Sequence, residues 1–173
     1  MAYIVPADIS QLALAGCHAP ELETLARLKS ELSIHYTVFH GVHWTREYRG
    51  NTVFGELDFV VVNRAGDVLL IEQKNGRLEE TERGLEKRYD DRGRVIAEQI
   101  RRAVENIREK FKWQHSAGLN LDYLFYCPDY RVCNISAAGI DASRIVDAGA
   151  ADGLPTVIDQ LLSPGQVRTA VTN

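Results

Sequence analysis

Residues 58–74 read DFVVVNRAGDVLLIEQK. Two valine- and leucine-rich runs flank Asn63-Arg64-Ala65-Gly66, a short hairpin turn. Apolar runs of this kind become the middle of a sheet. Here an acid opens the first run, and Glu72-Gln73-Lys74 closes the second. With the turn centred near Ala65, antiparallel partners carry numbers summing to about 130. Val62 then faces Val68, and Asp58 faces Glu72. Directly opposed carboxylates sit about 5 Å apart at Cβ. At that separation and an effective dielectric of about 20, their repulsion is about 3 kcal/mol. A raised pKa, a basic partner or a bound cation can offset it. Lys74 follows Glu72 by two residues, so both side chains leave the strand on one face. Two readings are open at this point. One is a salt bridge at the rim of a hairpin. The other is a cation site with an ammonium beside it. Two carboxylates in open geometry suit Mg²⁺, and a neighbouring lysine can orient water or stabilise charge on a phosphate.

The rest of the chain supplies a framework. APELETLARLKSEL (19–32) predicts a helix with Pro20 in its first turn and Leu22, Leu25, Leu28 and Leu32 along one stripe. Glu21 falls on that stripe, between Leu28 and Leu32, where a carboxylate is costly unless paired or metal-bound. HYTVFHGVHW (35–44) predicts a strand, and REYRGNTVFG (46–55) a loop. Residues 76–94 form a polar excursion with a hairpin around DDRGR. VIAEQIRRAVENIREKF (95–111) is the clearest helix, with Ile96, Ile100, Ala103, Val104, Ile107 and Phe111 on one face. Gln99 sits within that face, either bonded to backbone or serving a site. LDYLFYCP (121–128) predicts a strand stopped by Pro128, and residues 129–173 short helices with one short strand. Helix, three strands, helix, strand is an α/β or α+β layer fold built on a mixed sheet.

Composition narrows the function classes. The 173 residues suit one domain with a sizeable core. No run approaches the length of a membrane span, and Met1–Gln11 lacks the marks of a secretory signal, so a cytoplasmic location is expected. A net charge of −4 argues against a generally basic nucleic-acid binder. The charge is uneven, however. Residues 76–112 hold 11 Lys/Arg against 9 Asp/Glu, while the flanking segments are acidic. Cys17, Cys127 and Cys133 show no CxxC spacing, which fits a reduced compartment and not a zinc site. His40 and His43 should point to opposite faces of one strand, so a shared ion would need a bulge there. Trp44 and Trp113 are expected in the core or at its rim.

Asp58 followed by Glu72-Gln73-Lys74 resembles the signature of the PD-(D/E)XK nuclease superfamily. GELDFVVV and GDVLLIEQKNG are similar to the NERD (nuclease-related) domain, particularly the form that precedes superfamily 1 helicases. Glu21 in the first helix, TVFHGVHW, Gln99 in the second helix and ASRIVDAG extend the similarity over about residues 20–163. Leu57 stands where the superfamily pattern has proline, and Glu56 is read as pointing to the opposite face. The resemblance implies a restriction-endonuclease-like αβββαβ core and Mg²⁺- or Mn²⁺-dependent hydrolysis of phosphodiester bonds in DNA, in repair or processing beside a helicase. It makes Asp58 and Glu72 the main metal ligands, Gln73 a carbonyl ligand and Glu21 an accessory one. Lys74 then positions the water, and Gln99 holds Lys74 or a phosphate. Arg83, Arg88, Arg101 and Arg102 are candidates for DNA contacts. No GxxxxGK[ST] occurs, so a helicase motor would lie outside these residues, in cis or in trans. A catalytically silent DNA-binding or protein-interaction module of a larger helicase is the alternative.

Overall fold

The computed structural model describes residues 1–48, 50–89, 92–114 and 119–163. The chain forms β1 (Tyr3–Val5), α1 (Ile9–Leu14), α2 (Ala19–Glu31), β2 (Tyr36–Tyr48), β3 (Asn51–Asn63) and β4 (Val68–Gln73). It continues through β5 (Glu79–Thr81), β6 (Gly84–Tyr89), β7 (Arg92–Val95), α3 (Ile96–Gln114), β8 (Leu121–Cys127), β9 (Ile145–Asp147) and α4 (Leu154–Leu162). Six strands make one mixed sheet in the order β1-β2-β3-β4-β8-β9. The β2–β3 and β3–β4 pairs are antiparallel; β1–β2, β4–β8 and β8–β9 are parallel. Helix, three strands, helix, strand is therefore α2, β2 to β4, α3 and β8, a topology compatible with a restriction-endonuclease-like core.

The predicted hairpin register is present: Val62 pairs with Val68, Val61 with Leu69, Val60 with Leu70 and Phe59 with Ile71. Asn63 fixes the turn. Its Oδ1 accepts from the N–H of Ala65 and of Asp67, both at 2.9 Å, and Gly66 adopts φ +81. Its Nδ2 donates to Asp67 Oδ2 and to the carbonyls of Leu162 and Ser163, which ties the hairpin to the end of α4. An asparagine serves here because only an amide offers both acceptor and donors on so short a side chain.

Helices cover both faces. Leu25, Leu28 and Leu32 from the α2 segment and Leu154, Ile158 and Leu162 of α4 pack on Tyr36, Val38, Phe59, Val61, Leu69 and Ile71. Across the sheet, Ile96, Ile100 and Ala103 of α3 contribute to two further apolar clusters. Arg27 of α2 donates from Nη1 to the Ala151 carbonyl at 2.8 Å, and Tyr36 donates to Asp159 Oδ1 at 2.5 Å. The first ties α2 to the turn that precedes α4, and the second ties β2 to α4.

Two expectations need correction. Residues 46–48 and 51–55 are strand, not loop, and Arg49 between them lies outside the described residues. Trp44 pairs with Gly55, and Thr45 with Phe54, so the hairpin runs well beyond the core. The polar residues that suggested a loop are those of a ribbon that leaves the apolar layers. The excursion at 76–94 forms a second, three-stranded antiparallel sheet, β5-β6-β7, in which Tyr89 pairs with Arg92; Asp90 and Asp91 of the expected DDRGR hairpin lie outside the described residues. Trp113's side chain and residues 164–173 lie outside the described residues.

Replacing Asn63 by alanine strips partners from buried backbone groups at the turn and at the end of α4. The expected loss is about 2–3 kcal/mol, read as a lowered urea midpoint with unchanged m-value.

Candidate active site

The β3–β4 ladder ends at Phe59 and Ile71, one step short of the predicted Asp58–Glu72 pair. Beyond it a side chain takes over the backbone's part: the Gln73 N–H donates to Asp58 Oδ2 at 2.7 Å. The β2–β3 ladder also breaks at this point. His40 pairs with Phe59 and Val42 with Leu57, while Gly41 and Asp58, opposite each other by number, form no ladder pair. Gly41 has φ +62, a left-handed conformation that glycine adopts without a side-chain penalty.

The break reverses the alternation of side chains. Tyr36 and Val38 face the α2 layer, yet Val42 and Trp44, also even-numbered, pack with Leu57, Leu70 and Ala103 on the α3 side. On β3, Phe59 and Val61 face α2, whereas Leu57 faces α3. Asp58 sits at the pivot, where β3 parts from both neighbours and a carboxylate can reach between them.

Glu72 follows Val68 and Leu70 on the α3 side of β4 and is 9% exposed. Lys74 Nζ donates to Glu72 Oε1 at 2.5 Å and lies 3.9 Å from Asp58 Oδ2. Two acids and one ammonium thus converge, with one negative charge in excess. Burial and the charge of Glu72 push the Asp58 carboxyl up to about 7, against the opposing pull of Lys74 and the Gln73 N–H. Burial also pushes Glu72 up, despite Lys74. For Lys74, burial favours the neutral amine, but the two carboxylates outweigh it and hold the ammonium above its usual range. All three of the offsets that repulsion demands are therefore drawn upon or invited here: a raised pKa, a basic partner, and room for a cation.

These groups line a cleft of about 1050 Å³. Glu21 of α2, Gln99 of α3 and Gln73 line it as well. Gln99 Oε1 is buried and finds no hydrogen-bond partner among the described residues. The same is true of Gln73 Oε1, although Gln73 Nε2 donates to Asn75 Oδ1 at 2.8 Å. Glu56, expected on the opposite face, lines this cleft, as does Glu98, so five carboxylates border it. Buried oxygen donors around an uncompensated charge fit a hard divalent cation such as Mg²⁺.

The small sheet forms one wall, contributing Arg83, Lys87, Tyr89 and Arg94; Arg102 of α3 adds another cation. Arg83 and Arg102 are 65% and 69% exposed in their side chains and make only loose pairs with Glu86 and Glu98. Arg88 does not line the cleft and pairs with Glu79 at 3.4 Å. Arg101 does not line it either: it borders a separate cavity with Arg108, Asp122 and Tyr123. One helical step separates Arg101 from Arg102, enough to turn the side chain about 100°. Lys87 and Arg94 were not singled out from sequence, because their facing depends on the register of the small sheet.

A second cluster joins the site on its α2 side. His40 is buried and tilted against Phe59, with ring centroids 5.3 Å apart. Its Nε2 lies 3.1 Å from Glu21 Oε2 and 3.7 Å from Cys17 Sγ. The reversal puts His43 on the same side of the sheet as His40, contrary to the opposed facing expected for this pair, but His43 is 76% exposed and lies 3.9 Å from Glu56, apart from the cluster. Sequence spacing gave no sign that Cys17 and His40 meet.

The nuclease-related domain (NERD) family model matches residues 18–128. No curated protein and no solved structure matches the chain.

Because Asp58 is protonated more readily folded than unfolded, its stabilising contribution is complete below about pH 4 and is lost as pH rises to about 7. In chelator, the wild-type urea midpoint should therefore fall further between pH 5 and pH 8 than that of Asp58→Asn. At pH 8, Mg²⁺ should raise the wild-type midpoint and leave the variant unmoved. Parallel pH profiles for the two proteins would contradict the elevated carboxyl.

Proposed function

The chain belongs to the nuclease-related domain family, and from that premise we propose that it hydrolyses phosphodiester bonds in DNA with Mg²⁺ or Mn²⁺. The carrying observation is the convergence of Asp58, Glu72 and Lys74 at the floor of a cleft walled by arginines and lysines. Asp58 and Glu72 would hold the cation, with the Gln73 carbonyl and Glu21 as further ligands. When bound, it would polarise the scissile phosphate and neutralise charge developing on its oxygens.

The protein's own groups have separable tasks. Glu72 and Asp58 favour the ammonium form of Lys74, which suits it to orient the attacking water or steady a phosphate oxygen as a donor. Gln99 offers a free acceptor from the wall opposite β4, suited to hold Lys74 or that water. Arg83, Arg94 and Arg102 supply the phosphate-binding rim, which explains how a chain of net charge −4 can take an anionic polymer. A helicase motor, in cis or in trans, and a role in DNA repair are further parts of this reading. They rest on the family resemblance.

Lys74→Met and Asp58→Asn should each lower cleavage by about 100-fold or more while circular dichroism stays native. DNA binding in Ca²⁺ without turnover separates the rim from the chemistry. There, Arg102→Ala should weaken binding and lower the salt slope by about 1, whereas Arg101→Ala should change neither. Salt-dependent binding with no cleavage in any divalent ion would assign the cleft a DNA-guiding role instead.

A further inference from the structure

The cluster on the α2 side has a donor set unlike that of the acidic floor. We propose that Cys17, Glu21 and His40 form a three-ligand site for a borderline transition cation of the Zn²⁺ class, sharing Glu21 with the acidic centre. The three donor atoms lie within 4.8 Å of one another. Zn–S of about 2.3 Å and Zn–N of about 2.05 Å at a tetrahedral angle put S and N about 3.6 Å apart, and N and O about 3.3 Å apart. The observed separations, 3.7 Å for Cys17 Sγ to His40 Nε2 and 3.1 Å for His40 Nε2 to Glu21 Oε2, need shifts of only tenths of an ångström.

Chemistry separates the two sites. Asp58, Glu72 and a backbone carbonyl are hard oxygen donors that favour Mg²⁺. A thiolate and an imidazole favour Zn²⁺ or its neighbours in the transition series. Without a metal, His40 Nε2 faces a carboxylate that needs a donor and a thiol that is itself a weak donor. One nitrogen serves both poorly, and a cation serves all three. His40 is held rigid in the core, and Glu21 lies in the first turn of α2. Cys17 comes from the α1–α2 connection, which the cation would fasten to the sheet. Cys17 and Glu21 both line the cleft, so a fourth position is reachable from it. Glu21 uses one oxygen toward His40. Its negative charge also bears on Asp58 and Glu72, which places it between the two centres.

The test uses the full chain under reducing conditions, with Co²⁺ as spectroscopic probe and Zn²⁺ in competition with a chromophoric chelator. One equivalent of Co²⁺ should give a thiolate-to-cobalt charge-transfer band and tetrahedral-type visible absorption. Cys17→Ser should abolish the band and weaken Zn²⁺ binding by about 100-fold or more. Cys133→Ser should preserve the band, since that exposed thiol lies outside the cluster. Asp58→Asn should also preserve it, so failure of the acidic centre and failure of this site are distinguishable. His40→Gln reports the imidazole, but Cys17→Ser is the primary variant because it leaves the buried core untouched. Cobalt binding without a thiolate band, or Zn²⁺ affinity unchanged in Cys17→Ser, would overturn the proposal.

Discussion

A single hydrogen bond marks where the sheet stops being scaffold and becomes site. At Asp58 the strand parts from β4 on one side and β2 on the other. The Gln73 N–H, which regular pairing would have given to a backbone carbonyl, goes instead to the Asp58 carboxylate. Continued pairing would have sealed the strand ends together and left no space between them. Separation without a substitute acceptor would have left a buried N–H unsatisfied, at a cost of about 1–3 kcal/mol. The aspartate resolves both problems, and the carboxylate is thereby fixed by the backbone it serves.

The electrostatics follow from that placement. Burial on a rigid sheet puts Asp58 and Glu72 where neither ionises freely, and Lys74 compensates only one of them. The apolar strands and the Asn63 turn hold the groups in register, so the repulsion cannot relax by movement. Strain of this kind is released by a proton or by a cation, and the cleft leaves access for either. The small sheet and α3 add positive charge at the rim but not at the floor. Positive charge therefore borders the cleft, while buried acids and one lysine occupy its floor.

Much of this was legible in residues 58–74, because a two-residue period and a four-residue turn leave one register. The helices α2 and α3 were equally plain from their leucine and isoleucine spacing. The extent of the β2–β3 ribbon was not, since residues that bury little carry no apolar pattern. The reversal at Gly41 was also hidden. A glycine letter does not reveal the sign of its φ, and counting by twos past it assigns the wrong face. Val42 and Trp44 are instances: counted from Tyr36 and Val38 they belong on the α2 side, and they pack on the α3 side. Cys17 and His40 stand 23 positions apart on different elements, and only the docking of α2 against β2 brings them together. Arg101 and Arg102 show a finer limit: adjacent letters with the same charge occupy different surfaces, and which one faces the cleft depends on the rotation of α3.

The reversal at Gly41 and Asp58 divides one hairpin into two parts with separate duties. Residues 36–40 and 59–63 are gripped between helices. Val42, Trp44 and Leu57 still pack on the α3 side, and beyond them the described residues of the hairpin project past the grip; Trp44 lies across Gly55 so closely that an added Cβ would fall 2.1 Å from the indole. Sequence change is therefore tolerated differently along the same two strands. Toward the turn at Asn63, variation is limited by whether the protein folds at all. Toward the tip, variation reshapes the mouth of the cleft while the foundation stays intact, so the opening and the fold are under separate constraints.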